Sequence, residues 1–270
     1  MRRVRRCGGR SIWRALAALV AAAGWWTPTT SARADESILT GDALQGPHFE
    51  LWSGAQAYAH VWSVYSGSTV APFGAIQDDG VRLRLVAGYG ADRYSGPRAV
   101  GTGSQIFTFK GTGSFADVLA GYHQQLGPLT VKVFAGVSAA DRQIRPDDPE
   151  TVIRGTGFGG KMALETWWNL GDQAWTSIDL SWGSLYQSYA ARARLGWRLT
   201  PALSAGIEAG AAGNLECDIL RAGGFVRYEW AGGEISASGG ATNDKLLDGG
   251  GPTVARASTP FVTVSWLTRF

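Results

Sequence analysis

The segment Gly155-Thr156-Gly157-Phe158-Gly159-Gly160-Lys161 has the spacing of G-x-G-x-x-G and comes close to G-x-x-x-x-G-K-[ST]. These are the loops whose backbone N–H groups cradle phosphates. Both readings fail on chemistry. The phosphate loop needs a hydroxyl after its lysine to hold magnesium, and Met162 stands there. The dinucleotide loop must open a helix in a parallel unit, whereas Lys161 to Leu170 alternates like a strand. In a chain with 38 glycines such matches arise by chance, and small residues where a loop re-enters a strand are the better account.

Acyl-transfer chemistry finds little to work with. A hydrolase needs a nucleophile, a base and a group that orients the base. The histidines are His48, His60 and His123, and no G-x-S-x-G occurs. His60 near Ser63 and Ser66 is the set that a lipid-modifying barrel enzyme would use, although a solvated loop histidine explains it as well. No H-x-x-x-H or H-E-x-x-H spacing suggests a metal. The sequence therefore assigns no catalytic, cofactor-binding or metal-binding residue, and the expectation is a non-enzymatic protein with no cofactor.

What remains is a set of charges at alternate positions. Arg82, Arg84, Lys132, Lys161, Arg192, Arg194, Arg198 and Arg227 share one parity with Asp117, Glu165, Asp179, Glu208 and Glu229. Trp52, Phe134, Trp167, Trp175 and Phe225 stand on the same parity. Charges of both signs away from bulk water survive by pairing or by contact with trapped water. Two uses fit: a ladder that bridges an enclosed lumen and holds it shut, or a polar conduit. The rings could pack the lumen or stack on sugar faces.

Alternation identifies the elements that position these charges. Tyr189, Ala191, Ala193, Leu195, Trp197 and Leu199 oppose Ala190, Arg192, Arg194, Gly196 and Arg198. A strand puts the two sets on opposite faces; a helix would mix them. Twelve such segments follow, near 48–58, 63–73, 81–93, 114–125, 129–140, 160–170, 174–185, 188–199, 203–213, 221–231, 234–243 and 259–270. Their lengths suit tilted membrane strands of about 9–11 residues. The pattern predicts an all-β fold, an antiparallel transmembrane outer-membrane β-barrel of about twelve strands.

Connections after even-numbered strands are mostly tight, as at Leu126-Gly127-Pro128, Gly171-Asp172, Thr200-Pro201 and Gly232. Those at 94–113, 141–159 and 244–258 read as long polar loops. Short turns on one side and long loops on the other is the layout of an outer-membrane barrel, turns in the periplasm. Tyr122, Trp168, Trp197 and Trp230 precede short turns on the apolar parity, and Trp266 and the terminal Phe270 close the last strand. These six predict a periplasmic aromatic girdle facing outer-membrane lipid. A secreted β-sandwich also alternates, but its apolar parity would hold large core residues rather than interfacial tryptophans.

The first 34 residues read as a targeting segment. Arg2, Arg3, Arg5, Arg6, Arg10 and Arg14 precede the apolar run Ala15 to Trp26, and Ala32-Arg33-Ala34 offers a small-x-small cleavage site near Ala34. The paired arginines lack the rest of a twin-arginine motif. Seven of the 25 basic residues lie in this segment, which leaves 18 against 22 acids, a net charge of −4. The basic balance thus belongs to the leader, and no nucleic-acid partner is expected. Cys7 leaves with the leader and precedes the apolar run, so it is no acylation site; Cys217 is the one cysteine of the mature chain. One thiol supports neither a disulfide framework nor a thiolate metal site. The expected organisation is a signal peptide at 1–34, a periplasmic linker at 35–47 and an outer-membrane barrel at 48–270.

Several stretches resemble a known family: Leu51-Trp52-Ser53-Gly54-Ala55-Gln56-Ala57, Ala71-Pro72-Phe73-Gly74, Gly121-Tyr122-His123-Gln124-Gln125-Leu126-Gly127-Pro128-Leu129-Thr130, Phe134-Ala135-Gly136-Val137-Ser138, Pro146-Asp147-Asp148-Pro149-Glu150, Asn169-Leu170-Gly171-Asp172, Tyr189-Ala190-Ala191-Arg192-Ala193-Arg194-Leu195-Gly196 and Arg227-Tyr228-Glu229-Trp230-Ala231-Gly232-Gly233. They are similar to the alphaproteobacterial cellulose biosynthesis protein BcsS, across nearly all of the mature chain. These are turn and strand signatures, so no functional residue carries over. The resemblance implies an outer-membrane accessory of cellulose biosynthesis that assists export or surface attachment of the glucan. Its implied partners are cellulose or the secretion components. A lipid-modifying enzyme and a plain structural or small-solute barrel are the competing expectations.

Overall fold

The computed structural model describes residues 46–243 and 258–270. The expected leader, nearly all of the linker and residues 244–257 of the last loop lie outside the described residues. Twelve strands run in order: β1 (Phe49–Ala57), β2 (Val61–Val70), β3 (Gly80–Val100), β4 (Gly103–Leu126), β5 (Leu129–Arg145), β6 (Gly155–Leu170), β7 (Ala174–Gly183), β8 (Ser188–Arg198), β9 (Leu203–Gly213), β10 (Asp218–Trp230), β11 (Gly233–Thr242) and β12 (Thr259–Arg269). Each pairs antiparallel with its neighbours, and β1 pairs with β12 from Glu50 opposite Arg269 to Ala57 opposite Val262. The sheet is a closed barrel. Closure leaves no unpaired edge, which a sheet in hydrocarbon requires. With strands ~4.8 Å apart and tilted by ~40°, twelve of them enclose a backbone cylinder roughly 24 Å across.

Two expected loops are mostly strand. The 94–113 segment continues β3 and β4 as a hairpin paired out to Val100 opposite Gly103. Of 141–159, β5 takes the first five residues and β6 the last five, and β6 holds all of the glycine-rich Gly155–Lys161 run. Polar composition misled there, because a hairpin standing in water needs no apolar face. The 63–73 segment also ends early: Ala71 to Asp79 form a turn that carries the exposed Phe73.

The outer surface is apolar where lipid would lie. Leu85, Val137 and Ile207 are 57, 62 and 60 % exposed, a cost that only a nonaqueous surround removes. At the end where β1 begins and β12 finishes (the base), Tyr122, Trp197, Trp230, Trp266 and Phe270 are exposed on this surface and Trp168 is half-buried. A second belt stands at the far end, with Trp62 and Tyr89 in ring contact at 5.8 Å and Trp182 opposite Tyr189. From Val81 to Tyr89 the chain climbs eight residues, roughly 20 Å along a tilted axis, close to a membrane barrel's apolar band. The β3–β4 hairpin beyond Tyr89 clears that band.

Inside, rings lie flat on the wall. Trp52 faces Gly67, Tyr65 faces Gly54, Phe115 faces Gly88, Phe134 faces Gly121 and Trp175 faces Gly196, each a directly opposed cross-strand pair. A Cβ added at any of these glycines would stand 2.3–2.4 Å from the facing ring. Only glycine leaves room for a ring pressed against the opposite strand.

At the far end, residues 146–154 form a strap with two anchors. Asp148 accepts hydrogen bonds from Arg98 Nε (2.7 Å) and Tyr94 Oη (2.8 Å), both on β3. Burial alone would raise the Asp148 carboxyl, but these bonds outweigh it and hold it below the usual carboxylate range. The other anchor is Glu216, between β9 and β10. One of its oxygens accepts from Thr151 Oγ1 and from the N–H groups of Val152 and Ile153, at 2.6, 2.6 and 3.0 Å. β3 and β9 are six places apart in the twelve-strand ring, so the strap joins opposite sides of the barrel.

Gly196→Val should push Trp175 off the wall and lower the unfolding free energy by about 1–3 kcal/mol, the usual cost of overpacking. The lipid-facing Gly224→Ala, whose new Cβ meets nothing nearer than 3.4 Å, should be near neutral. Urea titration of the folded, heat-modifiable band in micelles reads the difference.

Candidate functional site

Inside the base lies a cavity of about 620 Å3. Nine of the thirteen charges expected in the lumen border it: Arg84, Lys132, Glu165, Asp179, Arg192, Arg194, Arg198, Arg227 and Glu229. Of the other four, Asp117 and Lys161 pair with each other at 2.5 Å, and Glu208 is buried between Arg194 at 3.0 Å and Arg221 at 3.7 Å. Arg82 is the exception. Its guanidinium is buried against the 71–79 turn, donating to the carbonyls of Ala75, Ile76 and Asp78. It clasps a turn whose Ile76 and Gln77 line the cavity. Parity gave its side of the wall but not the turn that folds beneath it.

The paired charges stand on the ring layer. Arg84 donates twice to Glu165, through Nη1 and Nη2, and lies 3.7 Å over the centre of Phe134, which lies on Gly121. Arg227 pairs with Glu229 and Glu234 and sits 4.6 Å over Trp167; Trp167 stacks at 4.0 Å on Trp175, which lies on Gly196. Lys161, bound to Asp117, stands 5.4 Å over Phe115, which lies on Gly88. Each stack runs glycine, ring, cation, carboxylate. The ring face attracts the cation and the carboxylate offsets its lost hydration, so a buried charge is met on two sides. Arg192 bonds Asp179 at 2.7 and 2.9 Å, and Arg194 also faces Phe225.

Two residues farther along β5, β10, β11 and β12 from the lining, the inward side chains are buried: Phe134 past Lys132, Phe225 past Arg227, Ser236 past Glu234 and Thr263 past Ser265. On β7 and β8 the cavity reaches up to Asp179 and Arg192, and the next inward residues, Ser181 and Ala190, are half-buried and exposed.

The sequence reading missed Glu50, Glu234, Arg221 and Arg269. All four occupy the inward parity, and that was the available signal. Glu50 and Arg269 meet at 3.5 Å only because the first and last strands pair. The histidines do not converge on a nucleophile. His60 lies in the far turn, where its carbonyl accepts from Arg93 N; Ser63 Oγ accepts from Gln56, and Ser66 Oγ bonds Ser53. His48 and His123 lie at the base, with Nδ1 of each within bonding distance of a turn carbonyl, Gly74 and Asp78. Among the described residues no cluster of His, Cys, Asp and Glu is built to hold a metal.

The sequence model of the cellulose biosynthesis protein BcsS family matches residues 50–270, the whole barrel. This chain belongs to the BcsS family. Among curated proteins none matches. Solved structures share the barrel: the KdgM porin (9 % identity, 82 % of this chain and 99 % of that one, TM-score 0.44), the translocator domain of the autotransporter NalP from Neisseria meningitidis (13 %, 85 % and 91 %, 0.49) and an outer membrane channel from Pseudomonas putida F1 (12 %, 87 % and 100 %, 0.46).

In this BcsS barrel, Arg194→Ala would leave Glu208, whose side chain is fully buried, with Arg221 alone at 3.7 Å. Breaking one partner of such a pair costs about 3–5 kcal/mol. Arg198, which among the described residues bonds Asn169 Oδ1 and the Asp172 carbonyl, should cost under about 1 kcal/mol when changed to alanine. The urea midpoint of each refolded variant measures this ranking.

Proposed function

We propose that this protein is a non-enzymatic outer-membrane accessory of cellulose biosynthesis, assisting export or surface attachment of the glucan or its machinery. Family membership supports the cellulose role. The apolar band between two aromatic belts supports insertion in the outer membrane, with the base and its short turns in the periplasm. The observation that carries the mechanism is the cavity's position: its lining begins at the base, with Glu50, Arg198 and Arg269, and runs up the lumen as far as Asp179 and Arg192. Its chemistry therefore faces the periplasm, where a chain or secretion component would arrive. In this reading the barrel holds what reaches it rather than serving as an open conduit.

Deleting the gene should reduce extracellular cellulose or loosen its fibres from the cell, and the intact gene should restore both. Cellulose yield and fibre retention after washing are the measurements. Unchanged yield with unchanged retention would contradict the accessory role.

A further inference from the structure

The charges around the basal cavity do not balance. Its lining holds seven lysines and arginines against five aspartates and glutamates. Each of the five carboxylates faces an arginine. Lys132 and Arg198 form no ion pair among the described residues. Lys132 is in register with Glu165, whose two oxygens each accept from Arg84, so the two cations share one carboxylate. His123 Nε2, also at this cavity, is buried with no hydrogen-bond partner among the described residues. With Glu208, which pairs with Arg194 from outside the lining, six carboxylates stand against seven cations, and Arg198 meets only amide and carbonyl oxygens among the described residues. Two half-buried rings seated on glycines border the cavity, Trp52 on Gly67 and Tyr65 on Gly54, and the Arg84 guanidinium stands 5.9 Å from the centre of the Trp52 ring.

We propose that the cavity is a binding site for an anionic saccharide, a pyranose chain bearing carboxylate or phosphate groups, entering from the base. Trp52 offers an apolar face to a sugar ring, which presents axial C–H groups to it. Arg198, which meets no carboxylate among the described residues, and Lys132, which shares Glu165 with Arg84, supply the countercharge. A neutral glucan would engage the rings and leave this surplus unmatched, so charge on the chain is what the site selects. This goes beyond the accessory reading and depends on it only for the choice of a β-1,4-linked probe.

The test compares two hexamers of one linkage on the refolded full barrel: cellohexaose and its C6-oxidised counterpart, the glucuronic acid hexamer, with inorganic phosphate alone as a third ligand. Titration calorimetry at low salt should show the acidic hexamer binding at least tenfold more tightly than cellohexaose, with a preference that shrinks as salt rises. Lys132→Gln with Arg198→Gln should erase the preference, and Trp52→Ala should weaken both hexamers about equally. Equal affinity for the two hexamers, or a preference untouched by the double variant, would overturn the proposal. So would phosphate binding as tightly as the acidic hexamer, since that leaves the sugar no part. These outcomes are independent of the deletion phenotype, so failure here and failure of the cellulose role are distinguishable.

Discussion

A ring can lie flat against a barrel wall only where the facing residue has no side chain. That steric condition underlies the interior of this protein. Five glycines seat five rings, the rings give cations a face to rest on, and each buried cation then needs a carboxylate. In a cylinder roughly 24 Å across, such layers on the wall narrow the lumen and leave the cavity of about 620 Å3 between them. Hydrophobic burial stabilises a soluble core; here the lipid-facing surface stays exposed, and the interior contributes through ring contact, ion pairing and close packing.

Much of this was legible in the sequence, and for a definite reason. A strand in lipid writes its two faces as two parities, so Arg192 and Arg194 could be assigned to the lumen and Trp197 to the lipid before any coordinates. In the structure these arginines pair across adjacent strands, Arg192 with Asp179 and Arg194 with Glu208. Where the rule failed, its physical premise failed. The β3–β4 hairpin stands in water, so its polar residues read as loop. Arg82 has the right parity but serves a turn, and a turn has no periodicity to read. Arg84 with Glu165, and Arg227 with Trp167, span several strands. Contacts across a lumen depend on barrel radius and tilt, which no local pattern encodes.

The two ends of the barrel are built for different tasks. At the far end, a strap pinned by Asp148 and Glu216 joins opposite sides. At the base, a turn held by Arg82 borders a cavity with paired charges, two half-buried rings on glycine seats and an arginine, Arg198, held by amide and carbonyl oxygens. The braced end and the charged, ring-lined end are therefore different ends of the barrel, and the proposed binding and accessory role would fall at the base.

Single-channel conductance of the refolded barrel in a planar bilayer reads how far the seated rings and paired charges restrict the lumen. At neutral pH the expected result is no sustained conducting steps, the rings and ion pairs leaving no wide path for ions. Stable steps of the size of a water-filled twelve-strand pore would overturn that expectation.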